Sequence, residues 1–152
     1  MELWHYTCPD HGLVGIQAAG GLLRPNRHPL LPELGAVVWA TEDGELDDPR
    51  AIGFTAGETA WNVLDRWTLS CDRSAIRYQV PTHRAVWWPL VRRRCDPMVV
   101  ADLESYGRPD TWWVLREAVV ALGPPWGRTG PGRAAVEATS RLHDLEERHE
   151  AG

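Results

Sequence analysis

The sequence contains no lysine, so all sixteen of its basic residues are arginine. The planar arginine side chain is better suited than lysine to paired hydrogen bonds with phosphate. Because 21 acidic residues give a net charge of −5, a uniformly basic surface for nucleic acid is excluded. A local patch stays open at Trp87-Trp88 and Arg92-Arg93-Arg94. It is either a stacking and phosphate surface for single-stranded nucleic acid or a buried indole pair before a solvated basic run.

Long apolar runs and cysteines are also scarce. No apolar stretch approaches the roughly 18 residues that span a bilayer. Residues 1–5 lack the basic and apolar regions of a signal peptide. The three cysteines, Cys8, Cys71 and Cys95, are an odd and sparse set, so reduced thiols are the default. We therefore expect a cytoplasmic protein without a membrane partner.

Phenylalanine occurs once, whereas tryptophan occurs nine times. Each indole offers a large apolar face and one N–H donor. Some of these side chains are expected in the core and others on stacking surfaces, and composition does not separate the two groups. The 152 residues suit one domain with one core.

Hydrophobic periodicity predicts an α+β fold, with strands dominating the middle of the chain and helices near both ends. Strands are predicted at residues 2–7, 22–24, 36–41, 64–71, 76–80 and 112–116, the last open to extension as far as Val120. Helices are predicted at residues 11–19, 97–106 and 133–150. Asp10 is the expected N-cap of the first helix, and Gly20-Gly21 its expected end. The apolar run 85–88 stops at Pro89.

Composition divides the chain into three parts. Residues 1–122 are expected to form the single domain, and residues 123–132, rich in glycine and proline, a linker. Residues 133–152 then form a C-terminal helix and tail with a narrow apolar stripe of Ala135, Ala138, Leu142 and Leu145. This stripe favours peripheral packing or mobility, and it also allows a homodimer through the helix.

The main candidate site is the first strand with the segments that follow it. His5 is expected at the mouth of a strand–helix cleft, where its ring can hydrogen-bond a sugar hydroxyl. Thr7 adds a second polar group nearby. Tyr6 and Trp39 are candidate aromatic walls, and Arg24 is close enough in sequence to contact a phosphate.

These segments follow a recognisable order: Leu3-Trp4-His5-Tyr6-Thr7, a helix with Ile16, residues 20–25 (GGLLRP), and residues 37–41 (VVWAT). The order resembles the ADP-ribosyltransferase superfamily, which cleaves NAD, in its short form of His-x-Thr, helix with Ile, Gly-x-Leu-x-Pro and a strand ending in Trp-x-Thr. It is similar above all to the branch with the DarT-like toxins and the RNA 2′-phosphotransferases. The resemblance is carried by residues 3–41 and covers the rest of the chain loosely.

The resemblance implies that residues 1–122 form a split, mixed β-sheet around a cleft for NAD. His5 would then bind a ribose with help from Thr7 and the neighbouring Tyr6. The strand ending in Trp39 and Thr41 would line the nicotinamide pocket, and the guanidinium of the Arg24 region would hold the diphosphate. ADP-ribose would pass to a nucleic acid, a protein, a small molecule or water, as in toxins or phage-conflict proteins.

The resemblance also implies a late glutamate that contacts the nicotinamide ribose and stabilises the oxocarbenium-like transition state. Glu104, shortly before the strand at 112–116, is the first candidate for this catalytic role beside His5, and Glu117 is the second. If neither carboxylate reaches the His5 cleft, the expectation becomes a module of the same shape. Such a module binds a nucleotide or nucleic acid without cleaving it.

Other interpretations of these residues stay open. His5, Cys8 and His11 are potential zinc ligands, but the usual paired spacings are absent, so no metal is expected. Cys8 or Cys71 beside His5, His11 or His83 is a candidate nucleophile. Ordinary hydrogen bonding and strand packing account for the first-strand residues without any ligand. A protein-interaction role for the tryptophan-rich surface and the C-terminal helix is the third class.

Overall fold

The computed structural model describes residues 1–9, 12–45, 74–105, 107–128 and 131–151. Several expectations from the sequence lie outside these ranges. They are the strand at 64–71, the cap Asp10, and the side chains of His11 and Cys71.

An antiparallel sheet forms the centre of the described structure. Its strands lie in the order β6-β7-β4-β1-β5-β9, with β3 paired to the outer part of β4, while β2 and β8 form a separate two-stranded sheet. The strand bounds are β1 Leu3–Thr7, β2 Leu22–Leu23, β3 Asn26–Arg27, β4 Ala36–Thr41, β5 Ile76–Val80, β6 Val86–Trp87, β7 Trp112–Leu115, β8 Val119–Val120 and β9 Trp126–Gly127.

Four α-helices accompany these strands in the described residues, and the predicted α+β class is confirmed. They are α1 Gly12–Ala18, α2 Trp88–Val91, α3 Pro97–Glu104 and α4 Pro131–Ala151, with single 3-10 turns at Pro32–Leu34, Arg92–Arg94 and Pro109–Thr111. Helix α1 ends as predicted, because Gly20 and Gly21 adopt positive φ angles of 68° and 87°.

Two local expectations differ from the structure. Pro89 does not end the apolar run at 85–88, because it lies in the first turn of α2, where proline's missing N–H removes no helical hydrogen bond. Strand β7 does not extend to Val120, since Val119 and Val120 leave it and pair with Leu23 and Leu22 of β2.

The sheet is split between its two central strands. Strand β1 pairs with β5 at all five of its residues, from Leu3 opposite Val80 to Thr7 opposite Ile76. The same strand pairs with β4 at one position, Trp4 opposite Thr41. The resemblance implies a split sheet with mixed or antiparallel strands, and all ladders among the described residues are antiparallel.

Strand alternation gives the sheet two faces with different partners. We call one the tryptophan face, where α2 and α3 cover a core of Leu31, Leu34, Val37, Trp88, Val91, Cys95, Val100, Leu103, Trp112 and Val114. We call the other the histidine face, because it carries His5 opposite Tyr78 of β5. Its core includes Leu3, Leu13, Leu23, Val38, Ala40, Ile76, Tyr78, Val80 and Leu115.

The segment predicted as a linker also contributes to the sheet. Within residues 123–132, Trp126 and Gly127 form the edge strand β9 beside Arg77 and Ile76. Helix α4 then packs Ala135 and Val136 against the histidine-face core. Its distal part is exposed and peripheral. No helix among the described residues is long and apolar enough to cross a membrane.

Helix α1 meets β1 at a contact that leaves no room for a side chain. A Cβ added at Gly12 would overlap the Thr7 hydroxyl and would lie 2.7 Å from Thr7 Cβ. Nothing lies within 4 Å of the corresponding atom at Gly15 in the same helix. We therefore expect Gly12→Ala to lower the free energy of unfolding by about 1–3 kcal/mol, the usual cost of overpacking.

The matched control is Gly15→Ala, which should be neutral or stabilising by up to about 1 kcal/mol because alanine favours helix. Urea denaturation of both variants measures the difference. Equal stability of the two variants would contradict the close contact between Gly12 and Thr7.

Candidate functional site

His5 lies where the sheet splits. Beyond the Trp4–Thr41 pair the ladder between β1 and β4 stops, and His5 Nδ1 lies 2.8 Å from the backbone oxygen of Trp39. A carbonyl oxygen only accepts, so Nδ1 carries the proton and donates this hydrogen bond. The imidazole is therefore held between two strands in one ring orientation.

The side chains of Thr7 and Tyr6 point to opposite faces of β1. Thr7 is buried against Gly12 on the histidine face, so its described contacts are structural. Tyr6 lies on the tryptophan face, and its hydroxyl donates to the Asp43 carbonyl at 2.9 Å. Burial raises the pKa of Tyr6 to about 12, against the lowering effect of the Arg77 charge. Tyr6 is therefore a neutral hydrogen-bond donor at physiological pH.

Trp39 and Thr41 are also on the tryptophan face. The Trp39 ring packs 5.0 Å from Trp88 and 6.4 Å from Trp112, measured between ring centroids. Thr41 is buried, and its Oγ1 accepts from the Asp43 N–H at 3.1 Å. Of the residues predicted to line one NAD cleft, His5 and Thr7 therefore lie on one face and Tyr6, Trp39 and Thr41 on the other.

The predicted phosphate contact, Arg24, lies after β2 in an exposed position. The side-chain amide of Asn26 donates to its backbone oxygen at 3.3 Å. Arg27 follows in β3 and is likewise exposed. Both guanidinium groups are thus on the surface of the segment between the small sheet and β4.

The first candidate for the catalytic carboxylate, Glu104, is bound by two side chains of the tryptophan-face layer. At the end of α3 its Oε1 accepts from Trp88 Nε1 at 2.8 Å. Arg92 donates to both of its oxygens at 2.8 and 2.9 Å. The Glu104 side chain is only 17% exposed. This carboxylate therefore fastens α3 to α2, on the face of the sheet opposite His5.

The second candidate, Glu117, follows β7 at the surface. Arg84 donates to both of its oxygens at 3.0 Å. The Glu117 side chain is 69% exposed, and that of Arg84 is 68% exposed. An ion pair so accessible to water contributes little to stability.

Arg77, which the sequence did not single out, is a further charged residue on the tryptophan face. The Arg77 guanidinium lies 4.4 Å from the Trp4 ring centroid and 4.0 Å from that of Trp126. We call these three residues the Arg77 sandwich. The alternating segment Ile76–Val80 already places Arg77 and Gln79 together on one strand face. That sequence signal was available, whereas the two indoles came from distant segments.

The alternative sites for a nucleophile or a metal involve cysteines and histidines, and of these cysteines the structure describes Cys8 and Cys95. Cys8 is buried, and its sulfur accepts from the Gly12 N–H at 3.4 Å. Burial, together with Glu33, raises the pKa of the Cys95 thiol, which disfavours a thiolate there. No group of three potential metal ligands occurs among the described residues. His11 and Cys71 lie outside them.

The proposed basic stacking patch is divided by the fold. Trp88 is fully buried in the core, and Arg92 is paired with Glu104. Trp87 remains 37% exposed, but its N–H donates to the Asp110 carbonyl at 2.8 Å. Trp87 and the exposed Arg93 and Arg94 are what remains for a partner, without the second stacking indole.

Comparisons with known proteins add no family to this geometry. No protein-family model, no curated protein and no solved structure matches the chain.

The two candidate carboxylates predict different costs of removal. Glu104→Gln breaks a mostly buried ion pair, so we expect a loss of about 1–3 kcal/mol in the free energy of unfolding. Glu117→Gln, the matched control, breaks an exposed pair and should cost less than about 1 kcal/mol. Urea denaturation checks both. A loss for Glu117→Gln as large as that for Glu104→Gln would contradict the structural role of Glu104.

Proposed function

We propose that this chain is an ADP-ribosyltransferase-like protein that binds NAD at the split between β1 and β4. The observation that supports the proposal is the His5–Trp39 hydrogen bond, which fixes an imidazole between the two halves of the sheet. The backbones of the His-x-Thr strand and of the strand ending in Trp39-Ala40-Thr41 are adjacent there, with Trp4 opposite Thr41, while the His5 and Trp39 side chains lie on opposite faces.

An imidazole held in one orientation suits recognition of a ribose hydroxyl. Its tautomer and ring plane are set before the ligand arrives, so little freedom is lost on binding. In the proposed reaction the bond between nicotinamide and ribose breaks and neutral nicotinamide leaves with the bonding electrons. The ribose carbon then bonds to a nucleophilic atom of the acceptor, which releases its proton to water. Nucleic acid, protein, a small molecule and water are the acceptor classes. We place this reaction in the cytoplasm, where thiols such as Cys8 and Cys95 stay reduced.

A second candidate function is nucleotide binding without cleavage. It is favoured by the positions of the carboxylates. Cleavage requires negative charge at the ribose where positive charge develops. Glu104 is instead bound by Trp88 and Arg92 on the opposite face from His5, and Glu117 is bound by Arg84 at the surface.

NAD turnover and NAD binding separate the two candidates. The transferase proposal predicts release of free nicotinamide on incubation with NAD, measured by chromatography. His5→Ala should lower NAD affinity about fivefold, since one hydrogen bond contributes about 1 kcal/mol. His83→Ala, a change at an exposed histidine outside the split, is the matched control and should keep full affinity.

The binding-only candidate predicts a rise in the thermal midpoint with NAD or ADP-ribose and no nicotinamide. If NAD neither raises the midpoint nor is cleaved, both candidates are wrong. A transferase in which Glu104→Gln keeps full turnover would leave the reaction intact but exclude Glu104 as its carboxylate.

We also propose that helix α4 pairs with a second copy of the chain. Leu142 and Leu145 are 62% and 60% exposed, and they continue the three-and-four spacing of Ala135 and Ala138. In a parallel pair of such helices, Arg141 of one copy would lie opposite Glu146 of the other. The charges therefore favour parallel over antiparallel pairing.

The pairing should be weak, because so short a stripe buries less than the about 1,200 Å² typical of a stable interface. We expect the apparent mass in sedimentation equilibrium to rise with protein concentration. Leu142→Glu with Leu145→Glu should abolish this rise. Met98→Glu, a change at an apolar residue that is 82% exposed elsewhere, should not. A mass independent of concentration would exclude the pairing.

A further inference from the structure

The Arg77 sandwich holds a charged side chain that forms no ion pair with a carboxylate of the described residues. Within the described residues, the ion pairs join Arg84, Arg92 and Arg108 to carboxylates, and Arg77 takes part in none of them. Its Nε is buried and has no hydrogen-bond partner. A buried donor left in this state costs about 1–3 kcal/mol.

The two indoles determine how a ligand can approach this arginine. The guanidinium carbon lies 4.4 Å from the Trp4 ring centroid and 4.0 Å from that of Trp126. Because indoles stack on the flat face of a guanidinium, a ligand would approach its edge. The edge carries N–H donors in one plane, which match two oxygens of a phosphate or a carboxylate. Stacking also holds the side chain in place before the ligand binds, which lowers the entropy lost on binding.

The loop after β4 approaches this edge closely. A Cβ added at Gly44 would lie 3.3 Å from Trp4 Nε1 and 3.6 Å from an Arg77 terminal nitrogen. A larger residue at position 44 would therefore crowd the donors. Asp43, one of the carboxylates on this loop, is already paired with Arg108. The positive charge of Arg77 is thus left without local neutralisation by Asp43.

Trp126 adds an aromatic surface beside the charge. It lies in the edge strand β9 and is 46% exposed, although one ring face stacks on Arg77. Bases of single-stranded nucleic acids and nucleotides stack on exposed indoles of this kind. Phosphate-binding donors and a stacking surface therefore lie side by side.

We propose that the Arg77 sandwich is a binding site for a nucleotide unit, with its phosphate on the Arg77 edge and its base on Trp126. The site is on the tryptophan face, whereas His5 is on the histidine face. The site is therefore on the opposite face of the sheet from the His5 side chain, although Trp4 is also the residue that pairs with Thr41 at the split. Its test does not depend on NAD being bound or cleaved.

Calorimetric titration with thymidine monophosphate tests the site in a way that avoids the adenine of NAD. We expect thymidine monophosphate to bind at least tenfold more tightly than thymidine, inorganic phosphate or acetate. The affinity should fall as salt is raised, because the contact is between charges. A short oligothymidylate shows whether the same unit is recognised within single-stranded DNA. Binding of either phosphorylated probe at this site supports the proposal.

Variants locate the binding. Arg77→Gln should lower the affinity at least tenfold, and Arg77→Lys should do nearly as much, because lysine keeps the charge but loses the planar edge. Arg84→Gln, at an exposed arginine elsewhere, is the matched control and should bind normally. Trp126→Leu changes a residue at the exposed edge of the sheet. It tests the stacking surface in a second way if the Arg77 variants do not fold.

Three results would overturn the proposal. The first is no binding of either phosphorylated probe at millimolar concentration. The second is unchanged affinity in Arg77→Gln and Trp126→Leu. The third is loss of binding in His5→Ala but not in Arg77→Gln, which would assign the probe to the split instead.

Discussion

The hydrogen bond from His5 to the Trp39 carbonyl joins the two halves of the sheet at the place where the backbone ladder is interrupted. On one side of it, β1 and β5 pair along their whole length, and on the other, β4 and β7 pair at four consecutive residues. Neighbouring strands usually share several backbone bonds. Here the His5 side chain provides one of the hydrogen bonds between the two strands. The same imidazole is therefore both a structural connection and the proposed ligand contact.

The tryptophan face combines aromatic packing, a buried hydrogen bond and charged side chains in one layer. Trp39, Trp88 and Trp112 form an aromatic core, and the Trp88 N–H needs an acceptor once it is buried. Glu104 supplies that acceptor, and Arg92 balances its charge. Toward β5 and β9 the same face carries Arg77 against two further indoles, and it forms no ion pair with a carboxylate of the described residues. The described part of the layer thus contains one arginine paired with a carboxylate, Arg92, and one stacked on indoles, Arg77.

Local patterns predicted a good part of this fold. Strands β4 and β5 have the predicted bounds, because the apolar run of β4 ends before Glu42 and the alternating segment of β5 ends before Pro81. Glycines end α1 for a reason that is also local. The two-residue strands β8 and β9 could not be found in this way. Their pairing with β2 and β5 depends on distant segments rather than on periodicity.

The candidate site was predictable only as a set of residues. The order of His5, Thr7 and Trp39 along the chain does not specify on which face of the sheet each side chain lies. That is decided by the register in which the strands pair. An isolated acid before a strand, as at Glu104, resembles a catalytic group in sequence. Its indole and guanidinium partners become evident only when α2 packs on α3.

The shortness of the outermost strands has a consequence for the protein at high concentration. Exposed sheet edges are templates for pairing between molecules, and short edge strands limit that hazard. Both ends of the described sheet, β6 and β9, are only two residues long. Next to β9, the Leu122 N–H donates a hydrogen bond to the Gln79 carbonyl of β5. The sheet therefore offers little uncovered backbone along which another copy could add a strand and begin to aggregate.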